Sequence, residues 1–222
     1  MNILGVSTSS NIATVAICEN DKPLLELNLD NNKTHSETFI PLLNELLIKT
    51  NLKLSNINAI ACDVGPGSFT GIRIGISSVK AISESLKIPL ISVSSLEALA
   101  YNINGIKCDT ICSIIDARNN QIYSGIFDKN YNLIENYIAD DINVLINSLK
   151  TYKNILYVGD GALCHKQLLG ISSFPYENVI HAKNIAKCGY YKYINNIIST
   201  PDSIIPFYLR KSQAERMKNK NG

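Results

Sequence analysis

The residues able to do chemistry fall in a few short stretches. The densest is the eleven-residue block 65–75 (GPGSFTGIRIG), which holds four of the chain's twelve glycines. It follows an apolar run and precedes a helical pattern, so it reads as a strand, a tight turn and a helix start. A turn of this kind presents bare backbone N–H groups to a phosphate or to another protein. Its spacing fits neither G-x-x-x-x-G-K-[ST] nor G-x-G-x-x-G. Gly67, Gly71 and Gly75 instead recur every four residues, a stripe on which a second helix could pack close to the backbone. Glycine inside a helix costs about 1 kcal/mol relative to alanine, so the stripe needs a compensating reason. Packing inside the monomer and docking of a partner each supply one. A partner surface built here would use His35, Phe39, Gly67, Phe69, Thr70, Gly71, Ile72, Arg73 and Gly75.

A second set of residues could line a nucleotide cleft: Ser7 and Thr8 in the first turn, Asp116 and Arg118 in a later one, and Gly159 and Gly161 at a second glycine turn. Asp116-Ala117-Arg118 reads equally as a solvated hairpin turn, since Asp is a common turn residue. The hydroxyl of Ser7 neither neutralises a magnesium-bound phosphate nor acts as a strong general base, which argues against autonomous ATP hydrolysis. His35, His165 and His181 are far apart in sequence and show no metal-ligand spacing. No metal ligand and no catalytic residue is therefore assigned. His35-Ser36-Glu37 reads more simply as a helix start, with Ser36 as cap and Glu37 favourable near the positive dipole end.

Composition narrows the setting. The 222 residues are 45% hydrophobic, enough to build sizeable cores, and the net charge is +2. That balance lacks the basic surplus by which electrostatics alone would hold RNA. The basic residues Arg210, Lys211, Arg216, Lys218 and Lys220 near the C-terminus read as a solvated end, with RNA contact as the minority alternative. Six scattered cysteines without a C-x-x-C pair point to buried thiols in a reducing compartment. No apolar run approaches the length of a membrane span, and the N-terminus enters a strand pattern at once, so a cytoplasmic protein is expected.

These residues must be positioned by a simple alternation of elements. Strands are expected at 2–8, 12–18 and 24–29, a helix at 36–49 kinked by Pro41, a strand at 57–64, a helix at 68–86, a strand at 88–93 and a short helix at 94–101. The order then recurs: strands at 110–115, 121–127 and 133–138, a helix at 142–149, and a strand at 155–158 ending in Gly159-Asp160-Gly161. Three strands, helix, strand and glycine turn thus occur twice, which suggests a duplicated α/β unit. Two ribonuclease H-like lobes, 1–105 and 106–222, each with a mixed sheet and helices, would make the actin-like ATPase fold. A single doubly wound sheet is the alternative.

Several stretches together resemble one family. Ile3-Leu4-Gly5-Val6-Ser7-Thr8-Ser9, His35-Ser36-Glu37, the glycine block, Asp116-Ala117-Arg118 with Ile122-Tyr123, and Pro206-Phe207-Tyr208-Leu209-Arg210 are similar to the bacterial TsaB (YeaZ) family of tRNA threonylcarbamoyladenosine biosynthesis proteins. The resemblance spans essentially the whole chain. It implies a non-catalytic subunit that pairs with its larger homologue TsaD and with the ATPase TsaE, in a complex that modifies the adenosine beside the anticodon of certain tRNAs. It further implies a homodimer when the chain is alone, tRNA contact through the complex, and no cofactor of its own, with ATP or ADP at the junction of subunits. TsaD carries an H-x-x-x-H metal pair where this chain has Ser95 and Leu99, and the family commonly has an acidic residue at the position of Ser7. The rival functions are an independent nucleotide-binding ATPase or kinase of the actin-like fold and, more weakly, a metallopeptidase.

Overall fold

The computed structural model describes residues 1–31, 33–103, 105–170 and 178–209. The basic stretch 210–222 lies outside the described residues. The chain opens with strands β1 (Asn2–Ser7), β2 (Ala13–Glu19) and β3 (Lys22–Leu29), joined as antiparallel hairpins. Helix α1 (His35–Thr50) follows, then β4 (Ala59–Asp63), α2 (Phe69–Leu86), β5 (Leu90–Val93) and α3 (Ser95–Ala100). Strand β4 runs parallel to β1 and β5 parallel to β4, which gives a five-stranded sheet in the order β3-β2-β1-β4-β5.

The second half repeats the plan. Strands β6 (Thr110–Asp116), β7 (Gln121–Asp128) and β8 (Ile138–Asp141), helix α4 (Ile142–Leu149) and strand β9 (Ile155–Val158) form a sheet in the order β8-β7-β6-β9, with β9 parallel to β6. The parallel strand beside the first strand of each half, β4 and β9, runs out into a glycine at positive φ, Gly65 and Gly159, both at φ 104°. The matching order, direction and turn conformation establish the duplicated unit, and two sheets exclude the single doubly wound alternative.

Side chains alternate across the first sheet in the way a strand buried on both faces requires. On one face Leu4, Val6, Val15 and Ile60 pack with Phe39, Leu42 and Leu46 of α1 and Ile72, Ile76 and Val79 of α2. Ile3, Ala59, Ala61 and Ile91 face the other way, into a core that reaches Ile111 and Phe127 of the second sheet. On its far side the second sheet packs Cys112, Ile114 and Ile126 against Ile142 and Leu145 of α4. The result is five layers, helix and sheet by turns, with α3 in the middle.

The partner of α3 in that middle layer is a helix the periodicity did not reveal. After the short helices α5 (Asp160–Cys164) and α6 (Lys166–Leu169), α7 (Ala182–Ile194) crosses back onto β1, β2 and β4. A lobe boundary at residues 105 and 106 therefore does not describe α7, which follows it in sequence and packs on the first sheet. The helix gets close because small residues meet small residues. A Cβ on Gly189 would overlap that of Ala61, and one on Gly5 would collide with the backbone at Ala182 and Ala186.

Two other details differ from expectation. The third strand of the second half lies at β8 and not at 133–138. Leu133 makes only an isolated bridge to Phe127, and both Leu133 and Ile134 are exposed, so the apolar run there lacks a continuous ladder. Pro41 lies inside α1 and does not end it.

Candidate functional site

The C-terminal ends of β1 and β4 and the N-terminus of α3 meet at a buried carboxyl group, Asp63. The hydroxyls of Ser7 and Ser9 donate to its Oδ2 at 2.7 and 2.5 Å. Ser95 Oγ and the Gly65 backbone N–H donate to Oδ1 at 2.6 and 2.9 Å. Burial pushes the carboxyl above the usual aspartate range, against the hydrogen bonds from Ser9, Ser95, Ser7 and Gly65. Nothing in the cluster is open to solvent, since Ser7, Ser9, Asp63 and Ser95 are all 3% exposed or less. It is a cross-tie that locks two strands, a hairpin turn, a glycine turn and a helix together.

The same hairpin turn is laced to the two outer helices. Thr8 Oγ1 donates to the Gly71 carbonyl at 2.7 Å, and Ser68 N–H donates to the Ser9 carbonyl at 2.7 Å. His35 Nε2 lies 2.8 Å from the Ser10 carbonyl, an acceptor that places the ring proton on that nitrogen. Ser7 and Thr8 are thus consumed by internal contacts and are not turned toward a nucleotide.

The glycine stripe faces the same way. A Cβ on Gly71 would collide with the Thr8 carbonyl, one on Gly67 with the Ser9 carbonyl, and one on Gly75 would stand 2.5 Å from Thr8 Oγ1. The stripe lets α2 lie against the first hairpin of its own chain, which overturns its reading as a docking ridge. Phe39 and Ile72, each 1% exposed, are core residues and leave the partner surface as well. His35 is a structural tie. Of the residues expected there, Phe69, Thr70 and Arg73 remain at or near the surface. Tyr208 stacks on Phe69 with ring centroids 4.7 Å apart and takes a 2.7 Å hydrogen bond from Arg73 Nε. Phe207 N–H donates to the Val64 carbonyl at 2.7 Å, so this late segment is strapped across the start of α2.

The outward face of α1 and α2 carries residues that spacing alone did not single out. Ile40 and Ile48 of α1 are 54% and 70% exposed, and Ser77 and Ala81 form an exposed small-residue row on α2. Two exposed isoleucines eight positions apart on one helix were a readable sign of an apolar outer stripe.

At the second glycine turn, Asp116 Oδ1 accepts from Arg118 N–H at 3.1 Å, closing a local turn in which Arg118 has φ 64° and points to solvent. Asp116 N–H donates to Asp160 Oδ1 at 3.0 Å, and His165 Nε2 is 3.9 Å from Asp116 Oδ1. Gly159 and Gly161 pack against Ile114 and Asp116, where a Cβ on either would collide. Among the described residues no group of three His, Cys, Asp or Glu side chains is placed to hold a metal ion.

The family model described as TsaD, tRNA N6-adenosine threonylcarbamoyltransferase, matches residues 30–176. A tRNA threonylcarbamoyladenosine biosynthesis protein TsaB from Bacillus subtilis is 31% identical over 227 residues, covering 97% of this chain and 96% of the relative. The chain belongs to the TsaB family. A tRNA N6-adenosine threonylcarbamoyltransferase from Cytophaga hutchinsonii is 31% identical over 104 residues, 45% of this chain and 29% of that protein, so TsaB-family and transferase chains share this part of the fold. YeaZ from Pseudomonas aeruginosa has the same fold as this TsaB-family chain, with a TM-score of 0.78 at 23% identity over 94% of this chain and 99% of that one. Among the described residues no helix is long and apolar enough to cross a membrane.

Proposed function

We propose that the chain is the non-catalytic subunit of the cytoplasmic assembly that forms threonylcarbamoyladenosine in tRNA, and that it works by docking on a larger, TsaD-like homologue. The observation that carries this reading is the Asp63 cluster. Where a metal-binding homologue would present imidazoles on α3, this chain has Ser95, which donates to Asp63, and Leu99, which is buried in the core. A hydroxyl held in that way and an aliphatic side chain cannot hold a metal ion. The first turn likewise turns its hydroxyls inward, leaving no acid or base facing a ligand.

The docking surface is the outer face of α1 and α2, with Ile40 and Ile48 as apolar anchors, Ser77 and Ala81 allowing close approach of a partner helix, and Arg73, Thr70 and Phe69 at one end. The same face joins two copies when the larger homologue is absent, because a self-complementary helical patch suits a two-fold interface. A TsaE-like ATPase joins the pair, tRNA is contacted through the assembled complex, and ATP or ADP sits at the junction of subunits and regulates assembly.

The test is reconstitution of tRNA modification from purified components with and without this chain. Modification should require the chain, while the chain alone turns over neither ATP nor tRNA. Ile48→Asp should weaken the heterodimer by at least about 2 kcal/mol, as loss of a central apolar anchor does, with an unchanged melting temperature. Complex mass by light scattering reads this directly. Full modification without the chain would defeat the functional reading, and an intact heterodimer in the Ile48→Asp variant would defeat the surface.

A further inference from the structure

The outward stripe of α2 carries its own complement. Successive residues of a helix turn by about 100°, so Arg73, Ser77 and Glu84 fall within about 40° of one another and Ala81 about 40° further round. All four are exposed, while Ile72, Ile76 and Val79 turn the other way into the core. Order along the helix matters as much as direction. In α2 (Phe69–Leu86) the small Ser77 and Ala81 occupy the middle, with Arg73 toward one end and Glu84 toward the other.

Among the described residues neither Arg73 nor Glu84 enters an ion pair. Arg73 donates through Nε to Tyr208 Oη at 2.7 Å, and its guanidinium carbon lies 5.6 Å from that ring. This contact uses one N–H of the fork and sets its position, but a neutral hydroxyl does not cancel the charge. Two copies of one helix can meet about a two-fold axis in two orientations. Parallel pairing sets every residue beside its own counterpart, so Arg73 faces Arg73 and Glu84 faces Glu84, and both pairs repel. Antiparallel pairing that crosses at the level of Val79 sets Ser77 against Ala81 and Arg73 against Glu84. Each charge then stands about 8 Å from the crossing along the axis, at the height of its opposite. Lys80, half-buried on the flank, comes level with Ser77 of the second copy and meets no like charge.

We propose that α2 pairs antiparallel with α2 of a second copy of this chain, crossing at Ser77 and Ala81 and flanked by two symmetric Arg73–Glu84 ion pairs. The inference rests on the docking face proposed above and specifies how that face closes on itself. A second copy is the occupant because the stripe supplies both charges in the order that an antiparallel copy reverses. Small residues at the crossing allow the two helices a short interaxial distance. The exposed Ile40 and Ile48 of α1 add apolar area on the same face, and the ion pairs fix orientation and register.

The test is sedimentation equilibrium at low salt on the full chain and on Arg73→Glu, Glu84→Arg and the two substitutions combined, with circular dichroism confirming that each folds. Either single variant turns two attractive pairs repulsive and should weaken the homodimer by about tenfold. The combined variant pairs opposite charges again and should return to within about threefold of the parent. Mixing the two single variants should give the mixed dimer in preference to either self-dimer, since only the mixed one has both pairs attractive. Added salt should shrink all of these differences. Single variants that dimerise as the parent does, or a combined variant no better than the single ones, would overturn the pairing, and Ile48→Asp would then read separately whether the face docks at all. A parent chain that stays monomeric yet joins the larger homologue overturns the pairing and leaves the docking reading standing.

Discussion

At the scale of single residues, the glycine block shows how one pattern can serve two opposite ends. In an exposed helix, replacing glycine by alanine stabilises by about 1 kcal/mol. At Gly71 the sign should reverse, because the added methyl meets the Thr8 carbonyl and not solvent. Gly71→Ala is expected to destabilise the chain by about 1–3 kcal/mol, the usual cost of overpacking, measurable as a lower urea midpoint at unchanged slope. The stripe itself was legible from spacing, but its direction was not. Spacing fixes which residues share a helix face and says nothing about which neighbour that face meets. A clue was present all the same: Ile72, Ile76 and Val79 follow the glycines by one position or lie a turn beyond, so the apolar arc and the glycine arc adjoin and turn inward together. Nor could spacing reveal the Asp63 cluster, whose members lie 32 to 56 residues from the aspartate in sequence. Serine and aspartate are too common for their coincidence to signal a contact.

At the scale of elements, the strands and helices of the duplicated unit could be read because each carries a clean period of two or of 3.6 residues. Helix α7 escaped because its packing face is made of alanine, glycine and cysteine around a single large aliphatic residue, Ile185, with Asn184 buried among them, so apolar periodicity is weak there. Its anchor is Glu26 on β3. The carboxylate takes hydrogen bonds from Lys183 N–H at 3.1 Å and from His181 Nδ1 at 3.0 Å, at the start of α7. Burial raises the Glu26 pKa, but the bonds from His181 and the Lys183 backbone outweigh it and hold the group below the usual glutamate range. A carboxylate with a depressed folded pKa contributes stability above its unfolded pKa and loses it as pH falls through the folded value. Glu26→Gln should therefore cost about 1–3 kcal/mol at neutral pH, as for a hydrogen bond to a charged group. The gap between variant and parent should close in acid, and denaturant curves across that range would show it. A constant gap at all pH values would mean that charge is not what holds α7.

At the scale of the whole molecule, the middle layer of α3 and α7 is shared by both sheets, which makes the halves one structure. Ile185, Ala186 and Cys188 of α7 belong to the same core as Ile111 and Phe127 of the second sheet. A chain ending at residue 181 would expose one whole face of the first sheet. It should fail to fold, seen as loss of dispersed amide resonances, whereas the full chain should unfold in a single urea transition. The strap formed by Phe207 and Tyr208 sets one border of the outer helical face. Tyr208 lies against Phe69 and Arg73, at the start of α2. Any protein that settles on α1 and α2 therefore meets a phenol ring drawn from the far end of the sequence at the edge of its footprint, so the late segment and the first half of the chain would be read together by one visitor.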